Sequence, residues 1–448
     1  MRRITQGLVY TVLLLGISGP AVANEFTDVI DAFDTEIGDP WDVNLRVGYE
    51  RFYKQGLIRR ETYNPEQGEL HSWDYFAYRD MFEYTQVSHI LHLDLDIGIY
   101  KDIAIKVRLP LILNDSRELK AKDNMQWSDV TGDGEGDSLF PLPFKSPERS
   151  GLDFLAVGLW WGILAQERDD TKPDWTIYIE GRFAVGDPLQ ASCQSAGNTS
   201  CDDRKDQGEN WYKTKGGISR GINEIAFGTR LSRRYGLFDP YFGFEALVGF
   251  AQEGTPFKIV NNADGQINDM PPIVGTLSFG MELVPWEVPK EYRKFVIGIG
   301  GTGKYHSEGR EYTPLFDALG MSPFFNNQEY VDFNGNGEND GGEEEAATAD
   351  DVWSGMTDVE NYATFYGTLF AMIQPAKYVK FKLGINVGHE SEHFITKTDQ
   401  CPADKMLSDG TCQMYNWGHR PAVDTPGNRF RIEQTLMWSL FIDAIAMF

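Results

Sequence analysis

The stretch VDFNGNGENDGGEEE, Val331 to Glu345, places oxygen ligands at the spacing of a calcium loop. Asp332, Asn334, Asn336, Asp340 and Glu343 stand at relative positions 1, 3, 5, 9 and 12, Gly337 stands at 6, and Glu338 offers its backbone carbonyl at 7. From Val331 to Asp351 there are eight carboxylates and no basic residue. Like charges hold such a loop open, and a Ca²⁺ ion ligated by about 6 to 8 oxygens would fold it. The expected cofactor is therefore structural calcium. No amphipathic helix precedes the loop at FFNNQEY, and a calcium sensor needs a helix pair to open. A second stretch, DVTGDGEGD, puts Asp129, Thr131, Asp133 and Asp137 at positions 1, 3, 5 and 9, but Phe140 occupies position 12 where a bidentate Glu is wanted. A solvated acidic loop explains it equally well.

Other strings look chemical and fail on geometry. HESEH, His389 to His393, matches the zinc-protease pattern, which needs two histidines one helical turn apart. It continues a strand pattern, where residues four apart are separated by about 13 Å, too far to share one zinc. Ser88 and His92 lie on one face of another strand, also beyond the hydrogen-bonding distance that a nucleophile and its base require. No catalytic residue is nominated, and the chain reads as a non-enzyme. The four cysteines fall into two close pairs, Cys193 with Cys201 and Cys401 with Cys412. Four cysteines allow three pairings; local closure is the simplest, pinning two loops in an oxidising compartment.

The compartment follows from the N-terminus. MRRITQGLVYTVLLLGISGPAVANEF carries two arginines, an apolar run and Ala21-Val22-Ala23, which reads as a secretory signal peptide, residues 1–23. Without Arg2 and Arg3 the net charge goes from −26 to −28, which excludes nucleic acid as a partner. No later apolar run reaches the roughly 20 residues of a membrane helix.

What must position the loops is a set of strands. In VSHILHLDLDIGIY, Val87, Leu91, Leu93, Leu95, Ile97 and Ile99 share one face, while Ser88, His92, Asp94 and Asp96 share the other. Twelve such segments begin near residues 43, 86, 103, 152, 174, 223, 238, 272, 293, 361, 378 and 429. Their connections alternate between short turns such as YKD and QPAK and long ones near 54–85, 114–151, 186–222, 251–271, 306–360 and 392–428. A soluble sandwich has no reason to segregate loops by length, whereas a transmembrane barrel has short turns on one side and long loops on the other.

In these features the chain resembles the outer-membrane β-barrel, porin-like proteins of Gram-negative bacteria. The C-terminal LMWSLFIDAIAMF sharpens the likeness, with Leu436, Trp438, Leu440, Ile442, Ala444, Ala446 and terminal Phe448 on one face. The resemblance implies an all-β, antiparallel transmembrane barrel of about 12 strands spanning 43–448, with both termini periplasmic and long extracellular loops. It also implies outer-membrane lipid as solvent, with Phe448 as the signal to the barrel-assembly machinery. Residues 24–42 form a periplasmic segment, in which Phe26, Val29, Ile30 and Phe33 fall at helical spacing; a short helix and a disordered lead-in are both open.

On the inferred inward faces lie Arg46, Glu50, Asp94, Asp96, Lys106, Arg108, Glu180, Arg182, Glu224, Arg230, Glu245, Glu282, Lys304, Lys380, Lys382, Arg431 and Glu433. Such a mixture suits a pore with a transverse field or an ion-paired, closed interior. With Tyr178, Tyr241 and Tyr366 it suits small polar solutes. The leading expectation is a channel or transporter with calcium-braced loops. Its alternatives are a non-conducting barrel serving as adhesin or envelope anchor and, more weakly, an outer-membrane lipid hydrolase.

Overall fold

The computed structural model describes residues 24–30, 42–63, 76–123, 125, 139–140, 144–192, 217–257, 270–326, 353–401, 405–408, 410–413, 416 and 418–448. Within them the alternating segments become twelve barrel strands. The first six are β1 Val43–Tyr63, β2 Phe76–Tyr100, β3 Ile103–Ala121, β4 Phe154–Leu164, β5 Asp174–Ala184 and β6 Ile222–Ser232. Then come β7 Phe238–Ala251, β8 Val274–Val288, β9 Arg293–His306, β10 Tyr362–Ala376, β11 Val379–Glu390 and β12 Phe430–Met447. Each pairs antiparallel with the next, and β12 returns to β1 from Asn44↔Met447 upward, which closes the sheet. Closure leaves no unpaired edge.

The outer surface decides the solvent. Leu45, Val47, Leu159, Trp161, Ile179, Phe227, Phe242, Phe279, Ile299, Leu369, Leu383 and Ile442 all point outward and are exposed. A fully exposed large apolar side chain forfeits about 1.5–3 kcal/mol in water, so this band would forfeit more than the roughly 5–15 kcal/mol that keeps a domain folded. Lipid removes that cost. The chain is a transmembrane antiparallel β-barrel, the architecture of the Gram-negative outer membrane.

Eleven strands start within two residues of the positions read from sequence, but β2 starts at Phe76 rather than near 86. Residues 54–63 and 76–85, read as loop, are strand. With 25 residues, β2 spans roughly 80 Å, against the 9–11 residues that a bilayer needs. The alternation continues above the membrane with its sense inverted. Ile58, Met81, Phe82, Tyr84 and Leu119 are buried in an apolar core while Arg59 and Glu83 carry charge on the other face, as in a soluble sheet.

That core is completed by loops. The helical turn Phe316–Gly320, with Phe140, Phe144, Trp353, Ile395 and Val423, packs into the mouth formed by β1–β3 and β12. Inside this dome Arg149 Nη1 donates to Asp317 Oδ2 (2.8 Å), and Ser146 Oγ and the Ser192 backbone N–H donate to the same carboxylate at 2.7 and 3.0 Å. The Cys401–Cys412 disulfide closes a loop on this side. Cys193 and Cys201 lie outside the described residues.

One strand departs from simple alternation and overturns two assignments. Gln55 pairs with Leu436 but Leu57 pairs with Glu433, so two β12 residues oppose one on β1, and Gln434 takes φ +50°. This bulge flips the faces beyond it. Ile432 and Phe430 turn into the dome core, whereas Arg431 and Glu433, expected in the lumen, turn outward. There Arg431 pairs with Glu392 (2.6 Å) and Glu433 (2.8 Å), and Arg59 with Glu433 (2.9 Å) and Asp80 (2.6 Å).

Candidate functional site

Period-2 alternation aims every second side chain of each strand into the lumen, where a desolvated charge needs a partner. Arg46 Nη1 lies 2.7 Å from Asp94, and its Nη2 lies 3.0 Å from Asp443. Lys106 meets Asp96 at 3.1 Å, and Lys54 meets Glu390 at 2.8 Å. Arg108 donates to Glu180 (3.0 Å), which also accepts from Arg182 (2.9 Å). Arg182 further lies 3.6 Å from Glu224 and 3.5 Å from Glu245. Two further lumenal lysines, Lys304 and Lys382, sit over rings, 5.8 Å from Tyr366 and 4.0 Å from Phe370. The interior is an ion-paired lattice.

Across the end of the lumen where the short turns lie runs a segment that the sequence did not place. Residues 24–30 enter the barrel as a turn, with the Phe26 N–H donating to Asn24 Oδ1 (2.9 Å) and the Asp28 N–H to the Asn24 carbonyl (2.9 Å). Asn favours such turns by bonding its own backbone. The bonding makes a single turn at residues 25–27, and the described residues 28–30 do not continue it. Residues 31–41 lie outside the described residues.

The segment touches opposite walls. On one side Glu25 Oε1 is 2.9 Å from Lys380 Nζ on β11 and 3.5 Å from Lys294 Nζ on β9. On the other, Thr27 Oγ1 meets Ser232 Oγ at 2.7 Å, Thr176 Oγ1 donates to the Thr27 carbonyl at 2.8 Å, and Asn24 Nδ2 donates to the Asp239 carbonyl at 3.2 Å. Phe26 stacks on Tyr241 with centroids 4.7 Å apart. Above the segment lies a cavity of about 230 Å³ lined by Glu25, Asp28, Arg46, Asp94, Asp96, Lys106, Arg108, Trp160, Tyr178, Arg230, Glu245 and Lys380. Eight of the expected charged lumen residues, with Tyr178, and the unforeseen segment thus line one compartment.

The remaining candidates separate. Glu50 accepts from His92 (3.1 Å), and Ser88 Oγ donates to Asp115 (2.6 Å), so Ser88 and His92 are not paired with each other. His389 is exposed on the outer face, whereas His393 is buried in the lumen and stacks on Tyr362, which stacks on His306. Glu282 is buried on the inner face and makes no hydrogen bond or ion pair among the described residues. Asp332, Asn334, Asn336, Glu338, Asp340, Glu343, Asp129, Thr131, Asp133 and Asp137 lie outside the described residues. Among the described residues no group of three or more His, Cys, Asp or Glu side chains could hold a metal.

In the dome, burial disfavours the charged form of two titratable groups. Burial raises the Asp424 carboxyl to about 7 even though it accepts hydrogen bonds from the Thr398 and Arg420 backbone N–H groups, at 3.1 and 2.8 Å. Burial lowers the His419 imidazole, whose Nδ1 sits 2.7 Å from the Thr398 carbonyl.

Fold and site together define a transmembrane barrel whose lumen is crossed at one end by its own N-terminal segment. No protein-family model matches the chain, and no curated protein matches it. Among solved structures, an outer-membrane channel from Pseudomonas putida is similar over 96% of this chain and 100% of its own, at 8% identity and a TM-score of 0.39. A Pseudomonas aeruginosa FadL homologue is similar over 91% and 90%, at 9% identity and 0.36. The outer-membrane protease OmpT from Escherichia coli is similar over 91% and 97%, at 8% identity and 0.27.

Proposed function

We propose that the protein is a channel for small polar solutes whose periplasmic mouth is gated by residues 24–30. The carrying observation is that this segment is tethered to both walls by hydrogen bonds and ion pairs, with no strand pairing to the barrel. A piece held only by side chains and single backbone contacts can leave without disturbing the ladder that closes the wall. The ion-paired lattice above it offers both signs of charge to a polar solute.

Planar-bilayer recording of the purified chain tests this. Discrete openings, more frequent when a plug contact is removed, support the channel; silence in every orientation and salt favours the non-conducting adhesin or anchor. One observation favours that second reading: the dome is packed like a soluble core, with Arg149 and Asp317 fully buried. Against a hydrolase stand the separate partners of Ser88 and His92.

Two further readings belong to this proposal. Ca²⁺ braces the loop at 331–345, on the spacing of its oxygen ligands alone. Phe448, exposed at the periplasmic rim while its backbone pairs with Val43, is the residue that the barrel-assembly machinery reads.

A further inference from the structure

Among the lumen arginines, Arg46, Arg108, Arg182 and Arg220 each lie against a carboxylate. Arg230 is different. Among the described residues it has no carboxylate at ion-pair distance, and its guanidinium is enclosed by rings: Cζ is 4.5 Å from the Phe26 centroid, 4.5 Å from Trp160 and 5.1 Å from Tyr178. Glu245 is reached only through the Tyr178 hydroxyl, which donates to it at 2.6 Å.

Beside the Tyr178 hydroxyl, the plug supplies a direct partner for Arg230. Its Nη1 donates to the Phe26 carbonyl at 3.0 Å. The ring of the same residue lies on Tyr241 and over Gly243, where a Cβ would come within 2.6 Å of the ring's Cζ. The wall is thus relieved at one glycine to admit an aromatic ring. Ring, Cβ, Cα and carbonyl of Phe26 together trace the skeleton of a 3-arylpropanoate.

We propose that Phe26 occupies a solute subsite, and that once the plug withdraws this subsite takes a small aryl-alkanoate anion. The aryl ring replaces Phe26 on Tyr241 and Gly243. The carboxylate replaces the Phe26 carbonyl on Arg230, and because guanidinium and carboxylate form a charge-assisted, bidentate pair it is the better acceptor. Trp160 and Tyr178 flank the arginine and exclude water, which strengthens that pair. This inference rests on the gating role of residues 24–30 and names the solute class that the gate would compete with.

The test is calorimetric titration in detergent of the full chain and of its E25Q/F26A double variant, in which the plug has lost its lysine anchors and its ring. The probes are 3-phenylpropanoate, heptanoate and 3-phenylpropylammonium. The expected result is 3-phenylpropanoate binding at least tenfold tighter to the double variant than to the unaltered chain, and at least tenfold tighter than either other probe. Adding R230Q removes that preference. R230K, which retains the charge without the planar fork, keeps a weaker preference and guards against a folding defect in the first variant. Equal binding of the three probes, indifference to R230Q, or no binding to the double variant overturns the proposal. Binding needs no current, so a barrel that stays silent in bilayers refutes the gate while leaving this titration readable.

Discussion

Replacing Glu25 by Gln removes the only carboxylate among the described residues that contacts both Lys380 and Lys294. At 2.9 Å and an effective dielectric constant of about 20, the Coulomb attraction to Lys380 is about 6 kcal/mol, but desolvation of both groups cancels much of it. Removing one member of a buried pair costs about 3–5 kcal/mol because the other charge is left behind. Lys380 keeps Asp28 at 3.9 Å, so the low end, about 3 kcal/mol, applies. That corresponds to roughly a hundredfold shift in the plug's docking equilibrium, since about 1.4 kcal/mol is a factor of ten. A gate open about one part in a thousand would then be open about one part in ten. Single-channel recording reads this directly as open probability, and Glu25→Asp, which keeps the charge, should restore most of the closure. An E25Q barrel with unchanged or lower open probability would refute the reasoning.

Gly243→Ala should act in the same direction, because the new Cβ would meet the Phe26 ring at 2.6 Å; open probability should rise with little change in barrel melting. The dome should be pH-sensitive through Asp424, whose carboxyl is raised from 3.8 to about 7 by burial. The folded dome then holds a proton that the unfolded chain has lost, so stability falls as pH rises from about 4 to 7, by up to about 4 kcal/mol. Hydrogen exchange of residues 396–424 at pH 5 and pH 8 should show faster opening at pH 8, and Asp424→Asn should abolish the difference. Calcium chelation should raise protease cleavage within 331–345; cleavage identical with and without chelator removes calcium from the account.

The barrel was legible because its outer face obeys one rule over twelve strands, and the turn-and-loop alternation fixed which ends meet. The overlong parts of β1 and β2 escaped because there the same period serves the opposite solvent arrangement: Ile58 and Phe82 point in, Arg59 and Glu83 out. Arg431 and Glu433 were misplaced by a single inserted residue, since a bulge at Gln434 reverses every face beyond it and leaves no mark in composition. The charged lumen could be named residue by residue, yet its pairing could not, because Arg182 reaches Glu180, Glu224 and Glu245 across three strands. The plug was the deepest omission. Phe26, Val29 and Ile30 carry a helical spacing, while the single turn at residues 25–27 depends on Asn24 and its seating on walls more than a hundred residues away in sequence.

The gate itself can be tested by tying it down. Thr27 Oγ1 and Ser232 Oγ are 2.7 Å apart, so the Thr27→Cys/Ser232→Cys double variant can link plug to wall. The Thr27→Cys single variant controls for reduction of the native Cys401–Cys412 bond. Planar-bilayer current before and after reductant is the measurement. Silence while oxidised and openings once reduced, with the single variant open in both states, is the predicted result; equal currents in both states of the double variant would contradict it.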